Sequence, residues 1–222
     1  MRIALLGGTG DIGEGLALRW AHDTDHEIVI GSRDPEKARN RAEAYEAEID
    51  DRGVDTKITG FENGMAADRA DVVVLAVPAY HIADTIEAVS DSLTEGDILI
   101  TPATGMKRDE DGFHYHKPGA GSVTKIAVEA APEGVPVVGA FHNLAAGRLT
   151  DLDAELGIDT LLISDDEAAK STVSSLAEDI EGLRALDAGS VANAAEVESV
   201  TPLLINVAMN NSGLHDLGVR FD

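Results

Sequence analysis

The stretch Arg2-Ile3-Ala4-Leu5-Leu6-Gly7-Gly8-Thr9-Gly10-Asp11-Ile12-Gly13 decides the fold. A short apolar run ending in glycines reads as a buried parallel strand. Gly8 to Gly13 then satisfies G-x-G-x-x-G at the start of a segment, residues 13–21, that has helix formers and an apolar face. The residue types follow from geometry. Gly8 permits the tight turn, Gly10 lets a pyrophosphate approach the backbone, and Gly13 lets helix and strand pack closely. The helix N-terminus offers free N–H groups to the anion, with Thr9 and Ile12 in the same loop and Asp11 pointing to solvent. With a second strand about twenty residues on, this is the context of a dinucleotide site.

Working outward, Glu27-Ile28-Val29-Ile30 is a second strand, and Asp34-Pro35 opens a helix that runs to about Ile49. An N-cap acid followed by proline at the first helical position is a strong start signal. Residues 57–60 form a weak third strand, and residues 71–77 a strong fourth, stopped by Pro78. A helix at 82–89 and strands at 97–101 and 136–140 follow. Residues 102–121, rich in glycine and charge, read as a loop, after which Ser122 caps a helix. This alternation implies a Rossmann-type doubly wound parallel sheet, the α/β class, filling residues 1–142. The chain then restarts with strands near 161–163 and 183–186, a helix bearing Val173, Leu176, Ala177 and Ile180 on one face, and a final helical region that Pro202 starts or kinks. Residues 143–222 read as a small C-terminal α+β domain, packed closely because no flexible linker precedes it.

The end of the second strand addresses which dinucleotide binds. An NAD site carries an acid there for the ribose 2′-hydroxyl. This chain reads Gly31-Ser32-Arg33-Asp34-Pro35-Glu36-Lys37. An arginine fork, an ammonium and a hydroxyl suit a phosphate dianion, which points Ser32, Arg33 and Lys37 to NADP(H). Asp34 reads as the helix cap.

Composition narrows the partners. Forty-one acids against 17 bases give a net charge of −24, with only six lysines. Such a field repels nucleic acid and anionic membranes. The acids are dispersed along the chain, as on a hydrated halophile surface. No run of eighteen apolar residues exists, and Met1 leads straight into a strand, so a cytoplasmic protein is expected. Without cysteine there is no disulfide and no thiolate nucleophile or ligand, and no metal site is expected.

The acid–base inventory is thin. There is no Tyr-x-x-x-Lys pair and no G-x-S-x-G elbow. His114 and His116 sit in the glycine-rich segment, and His81 follows Ala76-Val77-Pro78. His142 lies past the sixth strand, at the carboxyl edge where doubly wound sheets bind ligands, and reads equally as a cleft residue or a structural histidine. A reaction that stacks two rings for direct hydride transfer needs no catalytic dyad.

These motifs carry a family resemblance over nearly the whole chain. The opening glycine loop with Ile30-Gly31-Ser32-Arg33 resembles the archaeal and actinobacterial NADPH-dependent reductases of the 5-deazaflavin coenzyme F420. The likeness continues through Gly139-Ala-Phe-His142-Asn-Leu-Ala-Ala, Glu181-Gly-Leu-Arg-Ala-Leu-Asp-Ala-Gly189, Val197-Glu-Ser-Val-Thr-Pro-Leu-Leu-Ile-Asn206 and Gly213-Leu-His-Asp-Leu-Gly-Val. It implies reversible hydride transfer between NADPH and the deazaflavin. Thr9, Ser32, Arg33 and Lys37 would hold NADP, Ala76-Val77-Pro78 would border the nicotinamide, and His142, Ser199 and Thr201 would line the deazaflavin side. It further implies a homodimer whose C-terminal domain closes the cleft. The acidic composition adds an expected halophilic archaeal source. Departures are Ala195 beside Glu196 in place of a common arginine, and Ala79-Tyr80 in place of a common tryptophan. Grip on the deazaflavin's anionic tail then falls to Lys107, Arg108 or Arg148. The residues alone also admit an NADP-dependent reductase of a small imine, ketone or metal chelate, with His142 or Tyr80 as proton donor, or a non-catalytic NADPH-sensing module.

Overall fold

The computed structural model describes residues 1–222. In chain order it builds β1 (Arg2–Leu6), α1 (Asp11–Asp23), β2 (Glu27–Ser32), α2 (Pro35–Asp50), β3 (Ile58–Glu62), α3 (Asn63–Ala67), β4 (Val72–Leu75) and α4 (Ile82–Val89). There follow β5 (Ile98–Thr101), β6 (Met106–Asp109), β7 (Gly112–Tyr115), α5 (Val123–Ala130), β8 (Val137–Gly139) and α6 (Ala146–Thr150). The chain ends with β9 (Ile158–Leu162), α7 (Glu167–Glu178), β10 (Leu183–Asp187), α8 (Ala194–Glu198) and α9 (Val200–Asn210). No helix is long and apolar enough to cross a membrane.

Six strands form one sheet in the order β3-β2-β1-β4-β5-β8, every pair parallel. The chain leaves β1 toward β2 on one side and returns to β4 on the other, so a crevice opens where the carboxyl ends of β1 and β4 diverge. The alternation of side chains along β1 explains the layers. Ile3 and Leu5 join Leu16, Trp20, Ala38 and Tyr45 of α1 and α2 in one buried cluster. Ala4 and Leu6 join Ala66, Ile82, Ile86 and Ala127 of α3, α4 and α5 in the other. Both faces of the sheet are therefore covered, which is why its strands are continuously apolar.

The larger cluster does not stop at β8. It runs on through Phe141, Leu149, Leu156, Ile158, Val173 and Leu176. Trp20 joins the two parts: its ring meets Phe141 edge-on at 5.6 Å, and its Nε1 donates to the Leu176 carbonyl at 2.8 Å. Strands β9 and β10 pair parallel in a small sheet of their own. Gly139 and Ile163 exchange backbone hydrogen bonds, and this antiparallel bridge covers the exposed edge at the end of β8.

One expectation fails. Residues 102–121 are not a simple loop, because β6 and β7 pair as an antiparallel hairpin inside them. The sequence hides this pairing because its anchor is remote. The Asn206 amide on α9 accepts from the Phe113 N–H at 2.8 Å and donates to the Phe113 carbonyl at 2.6 Å. The fourth strand is also shorter than its apolar run, ending at Leu75. Ala76, Val77 and Pro78 instead turn along the crevice.

Candidate functional site

The glycine loop folds by close approach. Gly7, outside the motif, has φ +78°, and a Cβ there would lie 2.6 Å from the Ala76 carbonyl oxygen. A Cβ at Gly13 would lie 2.6 Å from the Gly8 Cα. Gly8 and Gly13 thus shape the loop from beneath, while Thr9, Gly10, Asp11 and Ile12 face open space. Gly10 caps α1 without any side-chain hydrogen bond, so the first-turn N–H groups remain free for an anion. Asp11 is exposed. Sequence reasoning missed Tyr45. Its buried hydroxyl donates to the Gly8 carbonyl at 3.1 Å, and burial pushes the phenol above its ordinary range.

Beside the loop, Ser32, Arg33 and Lys37 converge on a cavity of about 410 Å³ that Thr9, Gly10 and Asn63 also line. Asp34 is the helix cap, its Oδ1 accepting from the N–H groups of Glu36 at 2.9 Å and Lys37 at 3.3 Å. Neither Arg33 nor Lys37 takes part in any of the chain's salt bridges. On a chain of net charge −24, two adjacent cations without a carboxylate partner are conspicuous. They leave a positive corner open to an anionic ligand.

Ala76, Val77 and Pro78 form the wall shared with a second cavity of about 490 Å³, which His142, Thr201 and Met106 also border. Met106, Leu144 and Thr201 continue into a third, mostly apolar groove of about 650 Å³ along α9. A single cleft therefore runs from the cationic corner, past the glycine loop, to an apolar trough.

His142 is 3% exposed, its Nε2 lying 3.5 Å from Thr124 Oγ1 and its Nδ1 without a partner. Burial drives its pKa down to about 3, so the ring is neutral near neutral pH. The preceding residue explains its placement. Phe141 has φ +66°, a left-handed conformation unfavourable for a bulky side chain. It is held there by the Trp20 contact and by its N–H donating to Thr160 Oγ1 at 3.0 Å. Thr201 donates its hydroxyl to the His142 carbonyl at 2.7 Å and stands 3.2 Å from Thr104 Oγ1.

Ser199, expected beside His142 and Thr201, lines none of these cavities. Its hydroxyl donates to the Glu196 carbonyl at 2.7 Å, turned back into the preceding helical turn. Its neighbour Glu198 was missed. That carboxylate is wholly buried and accepts from the Val123 N–H (3.0 Å), the Thr124 N–H (2.8 Å), Thr124 Oγ1 (3.0 Å) and the Tyr115 hydroxyl (2.8 Å). It ties α8 to the N-terminus of α5 and to the hairpin directly beneath His142. Nothing in the local sequence separates it from its neighbour Glu196, which is exposed. Of the candidate tail residues, Lys107 and Arg108 are exposed on β6, whereas Arg148 donates to the Leu156 carbonyl at 2.6 Å. His114 pairs with Asp109 at 3.0 Å on the hairpin.

A doubly wound sheet whose switch-point crevice holds a glycine loop, a cationic corner and an apolar trough defines a Rossmann-type dinucleotide-dependent oxidoreductase. Residues 2–105 match the family model described as NADP oxidoreductase, coenzyme F420-dependent. The F420-dependent NADP reductase of Methanocaldococcus jannaschii is 38% identical over 213 residues, covering 93% of this chain and 92% of that protein. The protein of the same name from Methanothermobacter marburgensis is 38% identical over 223 residues, covering 99% and 97%. The chain belongs to the F420-dependent NADP reductase family. Among solved structures, a protein from Arthrobacter sp. FB24 described as an F420-dependent NADP reductase superposes with a TM-score of 0.79 at 23% identity, covering 100% of this chain and 99% of that one. A pyrroline-5-carboxylate reductase from Coxiella burnetii shares the fold at a TM-score of 0.54 and 19% identity, over 83% of this chain and 58% of that one.

Proposed function

We propose that this protein catalyses reversible hydride transfer between NADPH and the deazaflavin coenzyme F420. The observation that carries the reading is the continuous cleft, which leads from two unpaired cations to a ring-sized cavity opening on an apolar trough. Both groups fit the residues present. Free N–H groups of α1 suit the pyrophosphate, and Ser32, Arg33 and Lys37 suit the 2′-phosphate. The side chains of Val77, Pro78, His142 and Met106 suit flat rings.

When bound, the two coenzymes supply the redox chemistry themselves: the nicotinamide gives a hydride, the deazaflavin accepts it together with a solvent proton, and NADP⁺ leaves. The chain's own part is positioning. The Ala76–Pro78 wall separates the two ends of the cleft and sets how deep a ring enters. Proximity then supplies the rate, since reacting atoms must meet at about 3–3.5 Å. The apolar trough excludes water from the reacting faces. Reduction of a small ketone or imine finds less support, because it needs a proton donor. Tyr80 is 78% exposed with its ring tilted against His81, and His142 is buried and neutral.

The test is a steady-state assay in concentrated potassium chloride. Mixing NADPH, oxidised deazaflavin and protein is expected to bleach the deazaflavin absorbance, with NADH a much poorer donor. No turnover with either donor at any salt concentration defeats the reading.

The same reading makes residues 1–142 the coenzyme domain and residues 143–222 a small domain closing the cleft. It places the protein in the cytoplasm and reads the dispersed acid excess as halophilic adaptation. It also makes the protein a homodimer, supported by the apolar side chains that α9 and the C-terminal segment leave exposed, including Leu203 at 59%, Met209 at 53% and Leu214 at 47%. Light scattering in potassium chloride is expected to give twice the chain mass; a monomer mass removes the dimer from the proposal.

A further inference from the structure

The cationic corner contains a residue that the coenzyme motif does not include. Asn63 opens α3 and lines the same cavity as Ser32, Arg33 and Lys37. The sheet register puts it there. Ser32 on β2 pairs with Glu62 on β3, so the next residue along each strand, Arg33 and Asn63, leaves the sheet side by side.

Asn63 is 8% exposed, and its Oδ1 is buried without any hydrogen-bond partner. That oxygen is pressed against β2, where a Cβ built on Gly31 would come within 3.0 Å of it. A carboxamide carries its oxygen and nitrogen on opposite sides of Cγ. With Oδ1 sealed against Gly31, the Nδ2 end turns to the cavity that the residue lines. An apolar side chain at this place would fill the space without stranding an oxygen. The amide is therefore explained by what its other end meets.

The neighbouring acid does not compete for that end. Glu62 is the N-cap of α3 and accepts from the Gly64 N–H at 2.8 Å. Ser32, Arg33 and Lys37 all present donors at this corner, and Nδ2 is a fourth from the opposite strand. A donor-rich cluster of this kind recognises an acceptor-rich anion, with Asp84 on α4 the one carboxylate that lines the same cavity.

We propose that Asn63 is a specificity-determining residue that donates from Nδ2 to the 2′-phosphate of NADP(H), completing the site formed by Ser32, Arg33 and Lys37. This rests on the NADP(H) reading above and adds a donor from β3–α3 to a site otherwise drawn from β2–α2. The amide contributes no charge, so it favours the phosphorylated ribose through directed hydrogen bonds, which salt screens less than it screens free charges.

The experiment titrates NADPH and NADH fluorescence in concentrated potassium chloride with the full chain and with Asn63→Ala and Asn63→Asp. Asn63→Ala is expected to weaken NADPH about 10-fold, and Asn63→Asp, which sets a carboxylate against the phosphate, about 30-fold. NADH should stay within about two-fold in both, since the lost partner is absent from it. The alanine variant keeps the test decisive should a buried carboxylate prevent folding. If both coenzymes weaken in parallel, Asn63 touches the adenine or merely supports the fold, and the proposal is overturned. The same follows if the alanine variant binds NADPH as the wild type does. A wild type that binds the two coenzymes equally overturns the NADP(H) reading itself, and this inference with it.

Discussion

Arg33→Ala is expected to lower NADPH affinity about 100-fold while moving NADH by no more than about two-fold. The guanidinium is at the end of β2 without a carboxylate partner, so nothing in the protein competes for it or replaces it. Its planar fork can meet two phosphate oxygens at once, and each charge-assisted bond is roughly twice as strong as a neutral one. Lys37 remains in the variant as a point charge, so some preference for NADPH survives. Salt dependence separates the two contributions. The Debye length falls to about 3 Å at 1 M salt, so long-range attraction is lost there while direct hydrogen bonds persist. The wild-type preference should therefore hold in concentrated potassium chloride, and the residual preference of the variant should shrink. Parallel weakening of NADH and NADPH would show that Arg33 grips some part common to both coenzymes, and the 2′-phosphate assignment would fall.

Glu198→Ala is expected to destabilise the fold by about 3–5 kcal/mol, because it leaves several buried donors unpaired at once. Two of these are N–H groups in the first turn of α5, and two are the hydroxyls of Thr124 and Tyr115. The two N–H groups and the Thr124 hydroxyl are buried away from water, and only the half-buried Tyr115 has solvent nearby. For a chain of this length that loss corresponds to a melting temperature lower by roughly 10 °C. Glu198→Gln keeps one acceptor oxygen but turns an NH₂ toward groups that are themselves donors, so an intermediate loss is expected. The consequence should be local in function. Thr124 stands beside His142 and Tyr115 belongs to the hairpin, so turnover of the deazaflavin should suffer while NADPH binding at the distant Arg33 corner holds. Thermal melts and coenzyme titrations in potassium chloride report both. A loss below about 1 kcal/mol for the alanine variant would contradict the network, since even one unsatisfied buried group costs that much.

The order of elements was largely readable because each rests on a local signal. α2 begins at Asp34-Pro35 with the acid accepting from the N–H groups two and three residues on, and α5 begins at Ser122, whose hydroxyl accepts from the Lys125 N–H. The hairpin was not readable. Its strands are only four residues each, and the amide that clamps it lies 93 residues away. Ser199 has a related history: a motif position says which residue is present, but not that its hydroxyl donates to the turn before it.

The amino-acid order alone determined the glycine loop, the doubly wound alternation and the cationic turn, since turn geometry, helix capping and strand periodicity act within a few neighbouring residues. Tertiary structure decided what surrounds them. Tyr45 under the loop, Asn63 beside Arg33, the left-handed Phe141 that sets His142, and Glu198 beneath it are all placed by other elements. Hydrogen bonds that span 37 or 74 residues leave no periodicity in a chain. They exist only once the sheet has brought its strands into register and burial has removed the competing water.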